Sequence, residues 1–424
     1  MTEVKNVLVF PAGTEIAFEI YDALKDSKFV KLFGGTSVPC HAEFVFENCI
    51  EGFPFADAPG FTDFMNRVIE EYKIDYIYPA HDSALKRLSD DRELLHAEVV
   101  ASPKETVNIC RSKNKTYTFL SGESYIPRTW ENPDEIPAYP VFIKPAVGQG
   151  SEGARVIADR VHLDEALAAG TEYAVCEYLP GKEVTVDCFT DACGRLRVVR
   201  PRTRERIRAG IAVRSRSLPD SPEITAVAES LNSRLVFTGA WFFQLKQNTA
   251  GEYRLLEAAP RIAGTMGLTR SRGINMPMLT LFTMWGYDVD ILDNGNNVLL
   301  DRAFISRFKT DLEYDTVYVD FDDTLVVRDK VNAYLMMFLY EAANRGKRIC
   351  LLTRHSTDIY EDLARFRIPE SLFDEIVRLY SAQQKADFVR SGSIFIDDSF
   401  AERKRIREKC GIPVFDLDMV ESLL

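Results

Sequence analysis

The feature that most constrains the fold is an alternation of short apolar runs and amphipathic segments at both ends of the chain. Near the start, the apolar run 5–10 is followed by the breakers 11–13 and then by a helical pattern. This order is typical of a strand, a turn and a helix in a parallel α/β layer, and it recurs to about residue 105. A fresh alternation begins at residue 316. The pattern predicts α/β folds at both ends.

The middle of the chain has a different sequence pattern, with hairpin-like strand pairs and intervening helices that indicate an α+β region. We therefore predict three domains, over residues 1–105, 106–305 and 312–424.

Composition narrows the class of protein and its partners. The chain has 424 residues, of which 46% are hydrophobic and 27% charged, a mixture typical of folded, water-soluble proteins. Its net charge of -12 argues against a nucleic-acid partner. The absence of a long apolar run, and of a basic start followed by one, predicts a cytoplasmic protein without a membrane partner. The eight cysteines include no CxxC pair, which disfavours a disulfide or zinc scaffold.

A glycine-rich segment, 148–153, matches the pattern G-x-G-x-x-G. A dinucleotide-binding turn needs a helix after its glycines, whereas residues 154–159 have a strand pattern. A glycine hairpin is the better interpretation, and it can lay backbone N–H groups against phosphate. Lys144, on the preceding strand, supplies a compact positive charge.

Five segments in order, 114–120, 125–130, 139–157, 173–189 and 241–265, resemble the ATP-grasp superfamily, nearest to its carbamoyl-phosphate-synthase-like members. The resemblance spans residues 1 to about 305 and implies an ATP-grasp fold behind a preceding α/β domain. It also implies roles for particular residues. Lys115 and Lys144 would contact the ATP phosphates, a loop containing Gly148, Gly150, Ser151 and Gly153 would close over them, and Glu177, Tyr178, Leu179 and Glu183 would hold the adenine and ribose.

Gln244 and Glu257 form a candidate magnesium site, because they lie on successive strand-like segments joined by a turn and offer oxygen ligands. The family pattern expects Asn two residues after the glutamate, but this chain has Ala259. Either water replaces that ligand or the ligase activity is weakened. By the same resemblance, Arg261 would face the γ-phosphate and the developing acyl phosphate.

Arginines occupy every second position from Arg200 to Arg208. If the segment is one strand, they share a face. That face is either simply solvated or an anion pocket for a substrate phosphate or carboxylate, with Arg206 and Arg208 as its candidate ligands.

Two carboxylates follow an apolar strand near residue 319, where open α/β sheets build their sites. Asp320 is placed to attack phosphorus, and Asp322 to protonate the leaving oxygen. Asp397, after another strand, can hold Mg²⁺ together with Asp320. Thr353 and Lys385 can donate to the transferring phosphoryl group.

These residues are similar, in order, to the four motifs of the haloacid dehalogenase (HAD) superfamily: DFDDT, LLT, Lys385 and IDD. The resemblance implies a Rossmann-like domain in which the Asp322 backbone carbonyl ligates the metal. The short segment between the first two motifs implies a capless member with an open site, where His355 is a candidate substrate contact.

Together these signals predict a bifunctional enzyme that uses ATP and Mg²⁺. An ATP-grasp ligase would join a small-molecule carboxylate to an amine through an acyl phosphate, and a HAD phosphatase would act on a phosphorylated substrate. Two alternatives stay open: a phosphatase whose ATP-grasp part only binds nucleotide, which Ala259 favours, and a nonenzymatic, ATP-responsive scaffold. A homo-oligomer is compatible with all three.

Overall fold

The computed structural model describes residues 3–148, 150, 152–380 and 382–424. The chain divides into two compact units, Met1–Ala303 and Phe304–Leu424. Both units mix helices and strands, so the predicted mixed α/β class is confirmed. The finer boundary at residue 105 stays a prediction. Among the described residues, no helix is both long and apolar enough to cross a membrane.

The first unit begins with a five-stranded parallel sheet in the order β3-β2-β1-β4-β5. Its central strand is buried because neighbouring strands and helices cover it. The Thr14 side chain accepts the Ala17 backbone N–H at 3.1 Å and so starts the first helix. The elements are β1 Lys5–Phe10, α1 Glu15–Leu24, β2 Val30–Gly35, β3 Cys49–Ile50, α2 Phe61–Tyr72, β4 Tyr76–Pro79, α3 Asp82–Asp90 and β5 Glu98–Val99.

Three helices and a small antiparallel sheet follow. The sheet has the order β7-β6-β8, and the glycine-rich segment joins β6 to β7. The elements are α4 Lys104–Arg111, α5 Lys113–Phe119, β6 Val141–Pro145, β7 Arg155–Ile157, α6 Arg160–Ala168 and β8 Tyr173–Glu177.

The rest of the first unit is built on a four-stranded antiparallel sheet in the order β10-β9-β13-β14, beside a three-stranded sheet in the order β11-β12-β15. The elements are β9 Glu183–Thr190, β10 Leu196–Thr203, β11 Arg206–Arg208, β12 Ile211–Arg216, α7 Pro222–Arg234, β13 Gly239–Gln247, β14 Tyr253–Ala259, α8 Gly267–Arg270, α9 Met276–Met284 and β15 Leu299–Asp301.

The two faces of the four-stranded sheet have different surroundings. One face carries Trp241, Phe243 and Leu245, which are fully buried in a cluster with residues of α7. The Trp241 ring stacks on Phe237 with centroids 3.9 Å apart. The other face is apolar at one end, where Phe242 packs in a cluster with residues of α1 and α9, and polar at the other end. This polar end lines the cavities described below.

The alternating arginines from Arg200 to Arg208 do not lie on one strand, so the prediction that they share a single face is wrong. β10 ends at Thr203, and Arg206 and Arg208 lie on the separate strand β11, which pairs with β12. The break has a physical reason, since the partner strand β9 begins at Glu183 and the pairing of β10 with it ends at Val184.

The second unit contains a five-stranded parallel sheet in the order β20-β19-β16-β21-β22. Only a short hairpin and one helix separate β16 from β19. The elements are β16 Thr316–Val319, β17 Val326–Val327, β18 Lys330–Val331, α10 Ala333–Asn344, β19 Arg348–Thr353, α11 Ile359–Arg365, β20 Glu375–Arg378, β21 Ser393–Ile396, α12 Phe400–Cys410 and β22 Val414–Phe415.

Gly239, at the start of β13, tests how tightly the four-stranded sheet packs on α9. Its φ is +71°, and a Cβ there would clash with the Thr280 side chain. We expect Gly239→Ala to lower the free energy of unfolding by about 2–4 kcal/mol, from backbone strain and overpacking together. Gly251→Ala is the matched control, because Gly251 has a φ of +82° with open space around it. Urea denaturation should show a smaller loss there, and equal losses would contradict the packing argument.

Candidate active sites

Two adjoining cavities lie at the polar end of the four-stranded sheet. The smaller, of about 170 Å³, lies between this sheet and the sheet of β6 and β8. The larger, of about 640 Å³, extends toward the start of α1 and the start of α3. Gln244 and Glu257 line both cavities. Neither side chain has a hydrogen bond or ion pair with another described residue. Two oxygen-bearing side chains are thus available at the junction of the cavities.

Lys144 reaches into the smaller cavity from β6. It is buried, and its Nζ donates to the Tyr117 hydroxyl at 2.6 Å and to the Leu256 carbonyl at 2.8 Å. Burial lowers the pKa of Lys144, although nearby Cys176 and Glu257 oppose that effect. Both of these partners are neutral oxygens, so no carboxylate of the described residues lies within hydrogen-bond distance to cancel the ammonium charge.

A β-bulge supplies one of these oxygens. The register between β13 and β14 shifts after the Gln244–Glu257 pair, because Leu245 pairs with Leu255 and leaves Leu256 opposite no residue. Bulges release backbone groups from the ladder and are common beside active sites. Here the released Leu256 carbonyl accepts hydrogen bonds from both Lys144 and Tyr117.

The segment after β8 forms another wall of the smaller cavity. Glu177 is turned toward the backbone, because its Oε1 accepts the Arg128 N–H at 3.0 Å. Tyr178 and Leu179 line the cavity beside it. Glu183 forms an ion pair with Arg204, whose Nε lies 2.7 Å from Oε1. A ligand hydroxyl at Glu183 would therefore share that carboxylate with an arginine.

The structure brings nine of the predicted site residues together around the smaller cavity. They come from β6, the glycine-rich loop, the β8–β9 segment, β13 and β14: Lys144, Gly148, Gly150, Glu177, Tyr178, Leu179, Glu183, Gln244 and Glu257. Gly153 does not line it but packs against Pro145. Ser151 lies outside the described residues.

The structure does not place Lys115 at the smaller cavity, so its predicted contact with the ATP phosphates stays a prediction. Its side chain is exposed and is not among those lining the cavity, whereas Lys113 lines it and donates to the Gly148 carbonyl at 3.2 Å. Residues two apart on an α-helix point about 200° apart, so only one of the two can face the cavity. The sequence contains both lysines, and only the rotation of α5 distinguishes them.

The predicted anion ligands Arg206 and Arg208 line neither cavity. Both are exposed on β11, and Arg206 pairs with Asp301 of β15 at 2.6 Å. Within the alternating run, the arginines that do line a cavity are Arg202 and Arg204. They belong to the same alternating run, but the sequence did not distinguish them from their neighbours.

Arg261 lines the larger cavity, where its guanidinium is bound by Asp82 at the start of α3. Its Nε and Nη2 lie 2.6 and 2.8 Å from the two carboxylate oxygens. Burial disfavours the charge on Asp82, but Arg261 outweighs it and holds the pKa of that carboxyl at about 2. Arg261 therefore lines the cavity as a paired cation, and the role predicted for it, facing the γ-phosphate, stays a prediction.

In the second unit, carboxylates and a lysine meet at the carboxyl ends of β16 and β21. The Lys385 Nζ lies 2.7 Å from Asp320 and 2.6 Å from Asp397, and all three side chains are buried. Asp320, Asp397 and Asp398 have ligand atoms within 4.8 Å of one another, as a divalent cation requires. Of these three, only Asp398 was missed as a candidate, although it completes the IDD motif.

Asp322 belongs to a neighbouring polar cluster rather than to this carboxylate group. Its carboxylate contacts the His355 Nδ1 at 2.8 Å, and the His355 Nε2 contacts Asp362 at 2.7 Å. Burial opposes the charged imidazole, but the bonds to Asp362 and Asp322 outweigh it and raise the pKa of His355. The buried Thr353 hydroxyl accepts the His355 backbone N–H at 3.2 Å. His355 therefore holds Asp322 in place.

Comparison with known proteins identifies the fold class first. Many solved structures are similar to this chain, and three of them illustrate the likeness over about two thirds of it. Biotin carboxylase from Campylobacter jejuni is 17% identical, covering 68% of this chain and 72% of that one, with a TM-score of 0.57. L-amino acid ligase from Bacillus licheniformis is 18% identical, with 67% and 75% covered and a TM-score of 0.53. N5-carboxyaminoimidazole synthetase from Staphylococcus aureus, complexed with ADP, is 16% identical, with 68% and 79% covered and a TM-score of 0.55.

A family model gives the more specific likeness. Residues 171–294 match a family described as ATP-grasp in the biosynthetic pathway with Ter operon. This range includes β9, β10, β13 and β14, which carry the polar end of the sheet. No curated protein matches the chain. Residues 171–294 thus match an ATP-grasp family, and about two thirds of the chain shares the fold of these ligases and carboxylases. The likeness of the second unit to HAD phosphatases stays a prediction.

Asp320 provides a stability test of the second unit in metal-free protein. Burial raises the pKa of Asp320 to about 6 from its ordinary 3.8, despite Lys385 nearby. The raised pKa means that stability is lost as pH rises from about 4 through 6. We expect Asp320→Asn to unfold at a higher urea concentration than wild type at pH 8 in EDTA. Its free energy of unfolding should be higher by up to about 3 kcal/mol. The difference should vanish near pH 4, and a destabilised variant at pH 8 would contradict the assignment.

Proposed function

We propose that the first unit is an ATP- and magnesium-dependent ligase that joins a carboxylate to an amine. The observation that carries this proposal is the position of Gln244 and Glu257 at the junction of the two cavities. The smaller cavity, with Lys113, Lys144 and the β8–β9 segment, suits a nucleotide. The larger one leaves room for an acceptor beside the terminal phosphate. The ligases and carboxylases with a similar fold support the same reaction class.

The proposed reaction has two steps. A carboxylate oxygen of the acceptor attacks the γ-phosphorus, the bond from that phosphorus to the β,γ-bridging oxygen breaks, and ADP leaves. An amine then attacks the acyl carbon, phosphate leaves with its oxygen, and the amine loses a proton. Lys144 and Lys113 offer positive charge to the phosphate oxygens. Mg²⁺ bound by Gln244 and Glu257 would neutralise further phosphate charge, which suits their oxygen donors.

Ala259 favours a second candidate function, nucleotide binding without ligation. It follows Glu257 on the same face of β14, its methyl side chain carries no oxygen ligand, and it is buried with the apolar cluster around Phe242. Full-length protein incubated with ATP, Mg²⁺ and a panel of carboxylates distinguishes the two. A ligase releases ADP in a carboxylate-dependent manner, whereas a binding-only domain gives no such dependence.

The two lysines of α5 provide a matched test of the nucleotide cavity. We expect Lys113→Gln to weaken MgADP binding about tenfold or more, because a charged contact to phosphate is lost. Lys115→Gln, an exposed change two residues away, should leave the Kd within about twofold of wild type. Isothermal calorimetry measures both. The opposite ranking would place the phosphates elsewhere and return the role to Lys115.

For the second unit, we propose a phosphatase that acts through an aspartyl phosphate. Asp320 attacks phosphorus, the ester bond breaks, and Asp322 gives a proton to the leaving oxygen. Water then releases phosphate from Asp320. The three carboxylates near Lys385 fit a divalent cation, which would offset the repulsion between Asp320 and a phosphate dianion. The burial of Asp320 beside Lys385, at the end of the central strand β16, supports this proposal.

Hydrolysis of p-nitrophenyl phosphate tests the phosphatase. We expect magnesium-dependent activity that Asp322→Asn reduces about 100-fold or more, because the amide cannot supply the proton. Asp323→Asn is the control: Asp323 is the next residue, exposed, with a φ of +52° that asparagine also tolerates. Equal losses in the two variants, or activity that persists in EDTA, would count against the mechanism.

A further inference from the structure

The larger cavity of the first unit contains two buried polar groups whose hydrogen-bonding capacity is unused. The Thr185 Oγ1 and the Arg202 Nη1 have no hydrogen-bond partner among the described residues, and each side chain is only 1% exposed. Both residues line the cavity. An unsatisfied buried polar group costs free energy, so a recurrent reason to keep two of them side by side is a ligand that pairs with both.

The Arg202 guanidinium is held in a fixed orientation. Its Nε and Nη2 each donate to one Asp187 oxygen at 3.0 Å, and Asp187 is fully buried and also accepts the Thr269 hydroxyl at 2.7 Å. Because two of its three nitrogens are fixed in this way, Nη1 remains as a preoriented donor. A donor of this kind, next to a hydroxyl, suits a carboxylate oxygen.

The sheet register fixes where such a carboxylate would lie. Arg202 pairs with Thr185, Thr185 with Gln244, and Gln244 with Glu257, so the four side chains form one row across β10, β9, β13 and β14. Neighbouring strands lie about 4.8 Å apart. A carboxylate at Thr185 and Arg202 therefore lies one strand from Gln244, close to the proposed site of phosphoryl transfer.

The same cavity also offers an acidic group. Glu15, in the first turn of α1, lines it and has no ion pair with a described residue. Gly264 leaves space for it, since a Cβ there would come within 2.6 Å of the Glu15 Cγ. Three other acidic side chains line the cavity: Asp82 is already paired with Arg261, Glu257 is the proposed metal ligand, and Glu152 is exposed on the glycine-rich segment. Glu15 is therefore the available partner for a positively charged group on the ligand.

We propose that the acyl substrate of the ligase is an amino acid, with its carboxylate bound by Thr185 and Arg202 and its ammonium group by Glu15. This inference rests on the proposed ligase function. It adds the substrate class, because a simple carboxylate, bicarbonate or a phosphate ester would bring no cationic group into contact with Glu15.

Hydroxylamine trapping tests the proposal without knowledge of the natural amine. Full-length protein is incubated with ATP, Mg²⁺, hydroxylamine and each of the common amino acids, and hydroxamates are detected by mass spectrometry. Propionate, glutarate and 3-phenylpropionate serve as deaminated counterparts of alanine, glutamate and phenylalanine. We expect at least one amino acid to react with a kcat/KM about tenfold or more above that of its deaminated counterpart.

Variants assign the two ends of the substrate. Glu15→Gln should reduce the preference for the amino acid over its deaminated counterpart to about twofold, by raising the KM of the amino acid alone. Thr185→Val should raise the KM of both acids, and Thr185→Ser should restore it. Asp22→Asn, an exposed change on the same helix, is the control and should retain the preference. Thermal melts and MgADP calorimetry of each variant monitor folding and the nucleotide cavity.

The possible failures are distinguishable. Deaminated acids or bicarbonate that react as well as amino acids in wild type would overturn the amino-acid proposal and leave the ligase intact. The same holds if Glu15→Gln retains the full preference. Absence of hydroxamate from every acid, with MgADP still bound, would instead contradict the ligase function on which the proposal rests.

Discussion

The cross-strand register of the four-stranded sheet is the constraint on which both cavities of the first unit depend. Because side chains alternate between faces, a slip of one residue would exchange the apolar set around Trp241 with the polar row of Thr185, Gln244 and Glu257. The packing of Trp241, Phe243 and Leu245 with α7 makes such a slip costly. The core on one face therefore holds the chemistry on the other face in register.

Along that second face, the environment changes from apolar to charged within a few residues. Phe242 packs in the cluster with α1 and α9, Asp187 is buried beside it with Arg202 as its partner, and Gln244 reaches the cavities. Burying an ion pair costs desolvation energy that its attraction only partly returns. The Asp187–Arg202 pair is thus better explained by the orientation it gives the guanidinium than by any gain in stability.

The sequence predicted those parts of the sites that follow from local pattern and strand direction. Asp320 and Asp397 each follow an apolar strand, and in a parallel sheet such positions lie at one edge, so their convergence was predictable. Which of Lys113 and Lys115 faces the cavity could not be predicted, because it depends on the rotation of a short helix against its neighbours. The prediction of a single arginine face failed for a similar reason. The arginines continue at every second position past Thr203, but the pairing of β10 with β9 ends there.

The buried lysines of the two units differ in what surrounds their charge, and this difference separates the ligands each site favours. Lys144 is bound by a hydroxyl and a backbone carbonyl, so its positive charge remains available to an anion such as a phosphate. Lys385 lies between Asp320 and Asp397 with Asp398 nearby, so one ammonium faces three carboxylates. The excess negative charge there favours a divalent cation, and a phosphate can approach Asp320 only once such a cation offsets it. In the functions proposed for the two units, a buried lysine would therefore belong to an anion site in one unit and to a cation site in the other.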